Sequence, residues 1–327
     1  MTDFSYTIYE QPGGVAMSSQ RFSGVLVPVI TPFKNDLSPD VEAFVTHCKW
    51  MLGQGVDGLA IFGTTSEANS LTVNERTQLL DALVESGVPA ARLMPGTGAC
   101  SIMDASVLTA HAVNHGCGGV LMLPPFYYKA VDTEGLYASF VEVIQRVGDD
   151  RLKIYLYHIP PVAQISIGLD LIERLINAYP DTVVGLKDSS GDWDNTKAIL
   201  DRFPGFSTFA GSEGFLLDTL RHGGAGCITA SGNANPAGIR KVYSAWKEGS
   251  ASAEALQARI SQIRVTLQTY PMIPALKAMT ARFTKRPSWA LTRPPLVPLS
   301  DKQATALLSD LDTISFDIET NGDCVNA

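Results

Sequence analysis

The sequence predicts an α/β fold, a closed (β/α)₈ (TIM) barrel followed by a C-terminal helical extension. Three observations carry this. Short, mostly apolar runs alternate eight times with helical patterns between Gly24 and Glu248, as parallel strands buried on both faces do. Those eight units occupy roughly 225 residues, close to the size usual for such a barrel. No Gly-x-Gly-x-x-Gly follows the first strand, which counts against an open dinucleotide-binding sheet.

Residues 1–20 are polar, carry Gly, Gln and Ser, and show no period, so they are expected to form a tail. The barrel is expected over 21–250. Its first strand is Gly24 to Ile30, followed by a helix to about Leu52 capped by Ser38 with Pro39 in its first turn. Gly58 to Phe62 is the second strand, and Thr72-x-x-Glu75 is a capping box opening a helix to about Ser86. Arg92 to Pro95 is a weaker strand, and Ser101 caps a helix to about His115.

Strands at Gly119 to Leu123 and Lys153 to Tyr157 are followed by helices at Thr133 to Val147 and Leu169 to Ala178. Strands at Thr182 to Leu186, Ser207 to Ala210 and Gly226 to Ala230 are followed by helices at Asp192 to Phe203, Glu213 to Arg221 and Pro236 to Glu248. Beyond residue 250 the pattern is wholly helical, in Ser252 to Thr269, Ile273 to Phe283 and Asp301 to Thr313. This extension is expected over 251–315, with an acidic tail at 316–327.

Apolar residues make up 45% of the 327, enough for a sizeable core. The net charge is −8 and no basic run occurs, which excludes a nucleic-acid footprint. Cys48, Cys100, Cys117, Cys227 and Cys324 are scattered without a C-x-x-C, so neither a disulfide framework nor a zinc ribbon is expected. No basic stretch followed by an apolar core opens the chain and no run is long enough to span a membrane. A cytoplasmic enzyme is expected.

Chemistry is expected at the C-terminal ends of the strands. There lie Gly63-Thr64-Thr65-Ser66-Glu67, Pro124-Pro125-Phe126-Tyr127-Tyr128, Tyr157-His158-Ile159-Pro160-Pro161, Lys187, Gly211-Ser212-Glu213 and Thr229-Ala230-Ser231-Gly232-Asn233. Hydroxyls, phenols and one amine converge. Lys187 ends the buried run Thr182 to Leu186. Most strand-end lysines are simply solvated, but desolvation there would favour the neutral amine that a Schiff-base lysine requires. His111 and His115 stand four apart on one helix, a spacing that can hold zinc. Ala112 occupies the position of a zincin's glutamate, so no metal site is read there.

Gly63-Thr64-Thr65-Ser66-Glu67, Tyr157-x-x-Pro160 and Gly185-x-Lys187 together resemble the motifs of the pyruvate-dependent class I aldolase family. That family includes dihydrodipicolinate synthase, N-acetylneuraminate lyase and 4-hydroxy-2-oxoglutarate aldolase, and the resemblance covers about residues 21–315. It implies that Lys187 forms an imine with a 2-oxo acid, pyruvate or its aldol adduct. Tyr157 would shuttle protons at the reacting oxygen. Thr64 and Thr65, with Gly63, would clamp the substrate carboxylate, and Gly211 and Ile228 would line the substrate. Tyr128 would complete a proton relay from a neighbouring subunit, which implies a homo-oligomer, by resemblance a homotetramer. No cofactor or metal is implied.

Two departures bear on the substrate. Val162 stands where dihydrodipicolinate synthases usually carry an arginine, and Glu213-Gly214 stands where sialate lyases carry an Asp-Glu pair. The expectation is therefore a Schiff-base lyase cleaving or forming a 2-oxo acid with pyruvate as one partner. Its rivals are a true dihydrodipicolinate synthase, a sugar-acid dehydratase using the same imine, and a catalytically silent barrel that senses a 2-oxo acid.

Overall fold

The computed structural model describes residues 21–318; the tail expected at 1–20 lies outside them. The strands are β1 (Gly24–Val27), β2 (Gly58–Leu59), β3 (Val120–Met122), β4 (Ile154–His158), β5 (Val183–Asp188), β6 (Ser207–Ala210) and β7 (Gly226–Ile228). Between and after them run helices α1 (Val41–Gly53), α2 (Val73–Glu85), α3 (Ile102–Asn114), α4 (Thr133–Val147), the single turn α5 (Pro160–Ala163), α6 (Leu169–Ala178), α7 (Trp193–Arg202), α8 (Leu216–Arg221) and α9 (Pro236–Lys247). Three more helices follow α9: α10 (Ala253–Leu267), α11 (Met272–Thr284) and α12 (Asp301–Thr313).

The strands pair in parallel in the order β2-β1-β7-β6-β5-β4-β3. The expected strand at Arg92–Pro95 makes only isolated bridges, because Pro95 has no N–H to give a ladder. It still bonds on both sides. Met94 N donates to Leu59 O at 2.8 Å and Gly96 N to Ile61 O at 2.7 Å, while Leu121 N donates to Pro95 O at 2.9 Å. The two ends of the strand order thus meet through residues 93–97.

Several boundaries differ from the sequence reading, each for a local reason. The first strand stops at Val27 rather than Ile30, because Pro28 lacks a donor and Ile30 N donates to Asn233 Oδ1 at 3.0 Å instead. The second and last strands also end early, at Leu59 and Ile228. Asp40, not Ser38, caps α1: Ser38 is spent on Asp36, Pro39 bridges Phe33, and Asp40 Oδ1 accepts from Ala43 N at 3.1 Å. The helix expected from Glu213 opens as a 3₁₀ turn, Glu213–Phe215, before α8 begins. Residues 316–318, read as part of a tail, are docked: Phe316 N donates to Leu311 O at 3.0 Å and Ile318 is buried. The capping box at Thr72 and Glu75 forms as read.

Apolar residues form two shells. Leu26, Ala60, Met94, Leu121, Tyr155, Tyr157, Phe209 and Ile228 pack within the ring of strands. The larger cluster lies between strands and helices. Tyr155 forms a floor, its phenol accepting from Phe22 N at 2.8 Å. Gly185 makes room for it, since a Cβ there would lie 2.5 Å from the Tyr155 ring.

Candidate active site

Two strands place the central pair. Tyr157 and Lys187 are ladder partners on β4 and β5, so both side chains project from one level of one face. Their alignment depends on an irregularity. Ile154 pairs with Val183 but Tyr155 pairs with Gly185, leaving Val184 as an extra residue. Val183 packs in the outer shell, so strict alternation from it would turn Lys187 outward as well. The bulge reverses the phase and brings Lys187 inside.

Lys187 is 4% exposed and Tyr157 3% exposed. Lys187 Nζ lies 3.3 Å from Tyr157 Oη and 4.3 Å from the centre of its ring. Tyr157 Oη lies 3.3 Å from Thr64 Oγ1. The three groups form one hydrogen-bonded chain from amine to phenol to hydroxyl. Among the described residues no carboxylate lies within ion-pair distance of Lys187.

Thr64 sits on a tight turn. Ser66 N and Ala68 N both donate to Gly63 O, at 3.1 and 3.2 Å, and Glu67 N donates to Thr64 O at 3.0 Å. Glu67 takes a left-handed conformation at φ 56°. The Thr64 and Thr65 amides donate to no acceptor among the described residues, so they are available to an anion. Thr31 Oγ1 steadies the turn by donating to Ser66 O at 2.7 Å.

The remaining residues singled out from the sequence separate clearly. Ile228 packs with Tyr157 inside the ring of strands. Gly211 follows β6, its N–H donating to Asp188 O at 2.6 Å, and a Cβ there would lie 2.2 Å from Ser189 Oγ. Tyr128 is not brought to Lys187: it is 75% exposed, edge-on to Tyr127 at 5.3 Å. Val162 faces solvent on α5. Lys129 is tied down within this chain, donating to Phe126 O and to Ala163 O, the latter at 2.9 Å. Glu213 is buried and occupied by Thr229, Ser231 and Arg264, the last at 3.4 Å. It has no free oxygen aimed at a polyol.

His158 points away from the ring, as alternation requires; burial pushes its pKa down, against an upward pull from Asp188. Its Nδ1 accepts from Ile167 N at 3.0 Å. Three supporting residues escaped the sequence reading. Asp188 accepts from Ser190 N at 2.9 Å, Asn195 Nδ2 at 2.9 Å and Thr196 Oγ1 at 2.7 Å, which closes the turn after Lys187. Lys277 and Arg293 both grip Glu67 on the Thr64 turn. A lysine within the apolar run Pro274 to Met279 was the available signal.

The sequence profile of the dihydrodipicolinate synthetase family matches residues 21–314. The chain belongs to the dihydrodipicolinate synthetase family. It is a lyase of the class I aldolase type. It is 34% identical over 285 residues to a protein of Chloroflexus aurantiacus described as a DapA-like lyase, covering 87% of this chain and 94% of that one. It is 28% identical to the 4-hydroxy-tetrahydrodipicolinate synthase of Bartonella bacilliformis, covering 85% and 93%. Among solved structures, dihydrodipicolinate synthase from Agrobacterium tumefaciens str. C58 superposes with a TM-score of 0.83 at 31% identity, covering 90% of this chain and 99% of that one. YagE, a prophage protein of this family from E. coli K12 solved in complex with pyruvate, gives 0.81 at 26% identity, covering 90% and 98%.

Proposed function

We propose that this member of the dihydrodipicolinate synthetase family is a Schiff-base lyase that cleaves or forms a 2-oxo acid, with pyruvate as one partner. The chain Lys187–Tyr157–Thr64 carries the proposal. Lys187 Nζ attacks the C2 carbonyl of the 2-oxo acid, and loss of water leaves a protonated imine. When the C3–C4 bond breaks, its electron pair flows into that imine and the C4 hydroxyl gives up its proton, releasing an aldehyde. Tyr157 Oη stands one hydrogen bond from both Lys187 and Thr64, where it passes protons to and from the reacting oxygen. The free Thr64 and Thr65 amides, beside Gly63, receive the substrate carboxylate, and Gly211 and Ile228 line its path.

The parallel strands, joined end to end through residues 93–97, support reading residues 21–250 as a (β/α)₈ barrel and 251–315 as a helical extension. The exposed Tyr127–Tyr128 pair supports a homotetramer in which Tyr128 crosses to a neighbour's Tyr157. A cytoplasmic location is part of the same reading. Pyruvate with borohydride, followed by intact mass, tests the core of it. A reduced adduct mapped to Lys187 is expected, and no adduct would overturn the proposal.

Tyr157→Phe keeps the ring and removes only the phenol. It is expected to lower kcat by about two to four orders of magnitude, the usual scale for a general acid–base group. Stopped assays of pyruvate release measure this, and near-normal kcat would remove Tyr157 from the proton path.

The second substrate follows from charge. A free carboxylate on the aldehyde partner needs a cation in a closed site, because an unpaired buried charge costs several kcal/mol. Val162 supplies none, and Lys129 is committed to Phe126 O and Ala163 O. The relatives named 4-hydroxy-tetrahydrodipicolinate synthase keep that activity as the second reading. We expect kcat/KM for cleavage of 4-hydroxy-2-oxo acids with uncharged distal parts to exceed that for condensing pyruvate with aspartate semialdehyde. Semialdehyde condensation as the better reaction would establish the second reading instead.

A further inference from the structure

We propose that Asp81, His111 and His115 form a binding site for a divalent transition-metal ion, of which Zn²⁺ is the best fit, on the outer helical layer. The site is separate from the lyase chemistry. His111 lies in the last turn of α3 and His115 is its C-cap, so the pair shares one face of the helix. The spacing alone does not make a site, and no acidic partner follows within α3. The fold supplies the third ligand from the neighbouring helix: Asp81, on α2, packs against both rings.

His115 Nε2 lies 2.7 Å from Asp81 Oδ1, and His111 Nε2 lies 2.8 Å from the same oxygen. The three ligand atoms lie within 4.8 Å of one another. Only His115 is aligned to form a hydrogen bond with that oxygen. His111 Nε2, although buried, makes none, because the ring does not aim this atom at the oxygen. An ion between the three would take the unused nitrogen.

Tetrahedral zinc, with ligand bonds near 2.1 Å, holds its ligand atoms about 3.4 Å apart. The present contacts of 2.8 and 2.7 Å must open by about 0.6–0.7 Å, and Asp81 can turn to allow it, since 38% of its side chain is exposed. Two imidazoles and a carboxylate suit a borderline cation and exclude a hard ion such as Mg²⁺ or Ca²⁺. The negative end of the α3 dipole also favours a cation here. A water molecule completes the fourth position.

The position assigns the role. The C-terminal end of α3 returns the chain to the start of β3, whereas Lys187 and Tyr157 lie near the C-terminal ends of their strands. The ion would therefore sit at the far end of the strands from the amine and join α2 to α3. Its function is to hold the two helices together.

The test uses the untagged full chain, stripped with chelator and titrated with Zn²⁺ at pH 7.5 by calorimetry, with Tm read in parallel. One ion per chain and a rise in Tm are expected. His111→Ala and His115→Gln should each weaken binding by about a hundredfold or more, since even outer-shell losses cost ten- to a hundredfold. Asp81→Asn, which keeps size and shape, serves in place of a larger change that disturbs the helix pair.

Pyruvate-releasing activity should be the same with and without Zn²⁺. Co²⁺ gives a second readout: d–d bands without a thiolate charge-transfer band are expected. No stoichiometric Zn²⁺ binding by the parent chain, binding unaltered in both histidine variants, or a thiolate band from a cysteine site would each overturn the proposal.

Discussion

Lys187→Ala is expected to abolish turnover, lowering kcat by about four orders of magnitude or more, the scale seen when a nucleophile is removed. The folded chain should survive. Lys187 makes no ion pair among the described residues, so its removal strands no opposite charge. Its polar contact is the Tyr157 phenol, which keeps Thr64 as a partner. The substitution leaves a small space beside a polar group, which water can fill.

Lys187→Arg should fail equally, because a guanidinium stays charged and is not nucleophilic at accessible pH. Borohydride trapping with pyruvate should then give no adduct in either variant. Chelator should leave the parent activity unchanged, since the imine rather than a metal ion accepts the electrons. Substantial turnover in Lys187→Ala, measured as pyruvate release with circular dichroism confirming the fold, would end the Schiff-base reading.

The parts of this fold that the sequence carries are those written in local patterns. The apolar runs at Val183 to Leu186 and Ile154 to Tyr157 are strands because β-branched and aromatic residues recur there with no room for a helix. Thr72 and Glu75 cap α2 because the pairing needs only four consecutive residues. What was not legible depends on residues far apart. Ser38 loses the cap of α1 to Asp40 only because Pro39 pairs back to Phe33.

The extra residue at Val184 shows in no local pattern. It becomes visible only when β4 and β5 lie side by side, yet it decides which way Lys187 faces. The third ligand at Asp81 is likewise 30 residues from His111 and belongs to another helix. Tyr157 and Lys187, also 30 residues apart, were legible as candidates because each lies in a short motif of its own, Tyr157-x-x-Pro160 and Gly185-x-Lys187. The support beneath them was not, because it arrives from the C-terminal helices.

That support carries the second large expected effect. Lys277 and Glu67 are both fully buried and form an ion pair. Lys277 Nζ also donates to Leu291 O at 2.6 Å and stands 4.3 Å from the centre of the Phe33 ring. Glu67 Oε2 accepts from Arg293 N at 3.0 Å. Arg293 in turn reaches Glu75, Ser70 O at 2.6 Å and Leu37 O at 2.8 Å. The turn bearing Thr64 is thereby fastened to α11 and to the loop after it.

Lys277→Met removes the cation and leaves the Glu67 carboxylate buried without it. Breaking a buried pair in this way costs about 3–5 kcal/mol, a fall in Tm of roughly 4–7 °C for a chain of this size. The double variant Glu67→Gln, Lys277→Met strands no charge and should recover much of that loss, since exchanging a whole buried pair for neutral groups is often close to neutral. Burial pushes the Lys277 ammonium down to about 8, against the upward pull of Glu67, from an ordinary value of 10.5. Between those two values the unfolded chain holds a proton that the native chain has released, so this group makes stability rise with pH across that window.

Lys277→Met should flatten that rise, and kcat should fall in the same variant as the Thr64 turn loosens. Denaturant unfolding of the parent, both single variants and the double variant, repeated across pH 7 to 10.5, closes the cycle. Equal losses in Lys277→Met and in the double variant would show that no stranded charge is involved.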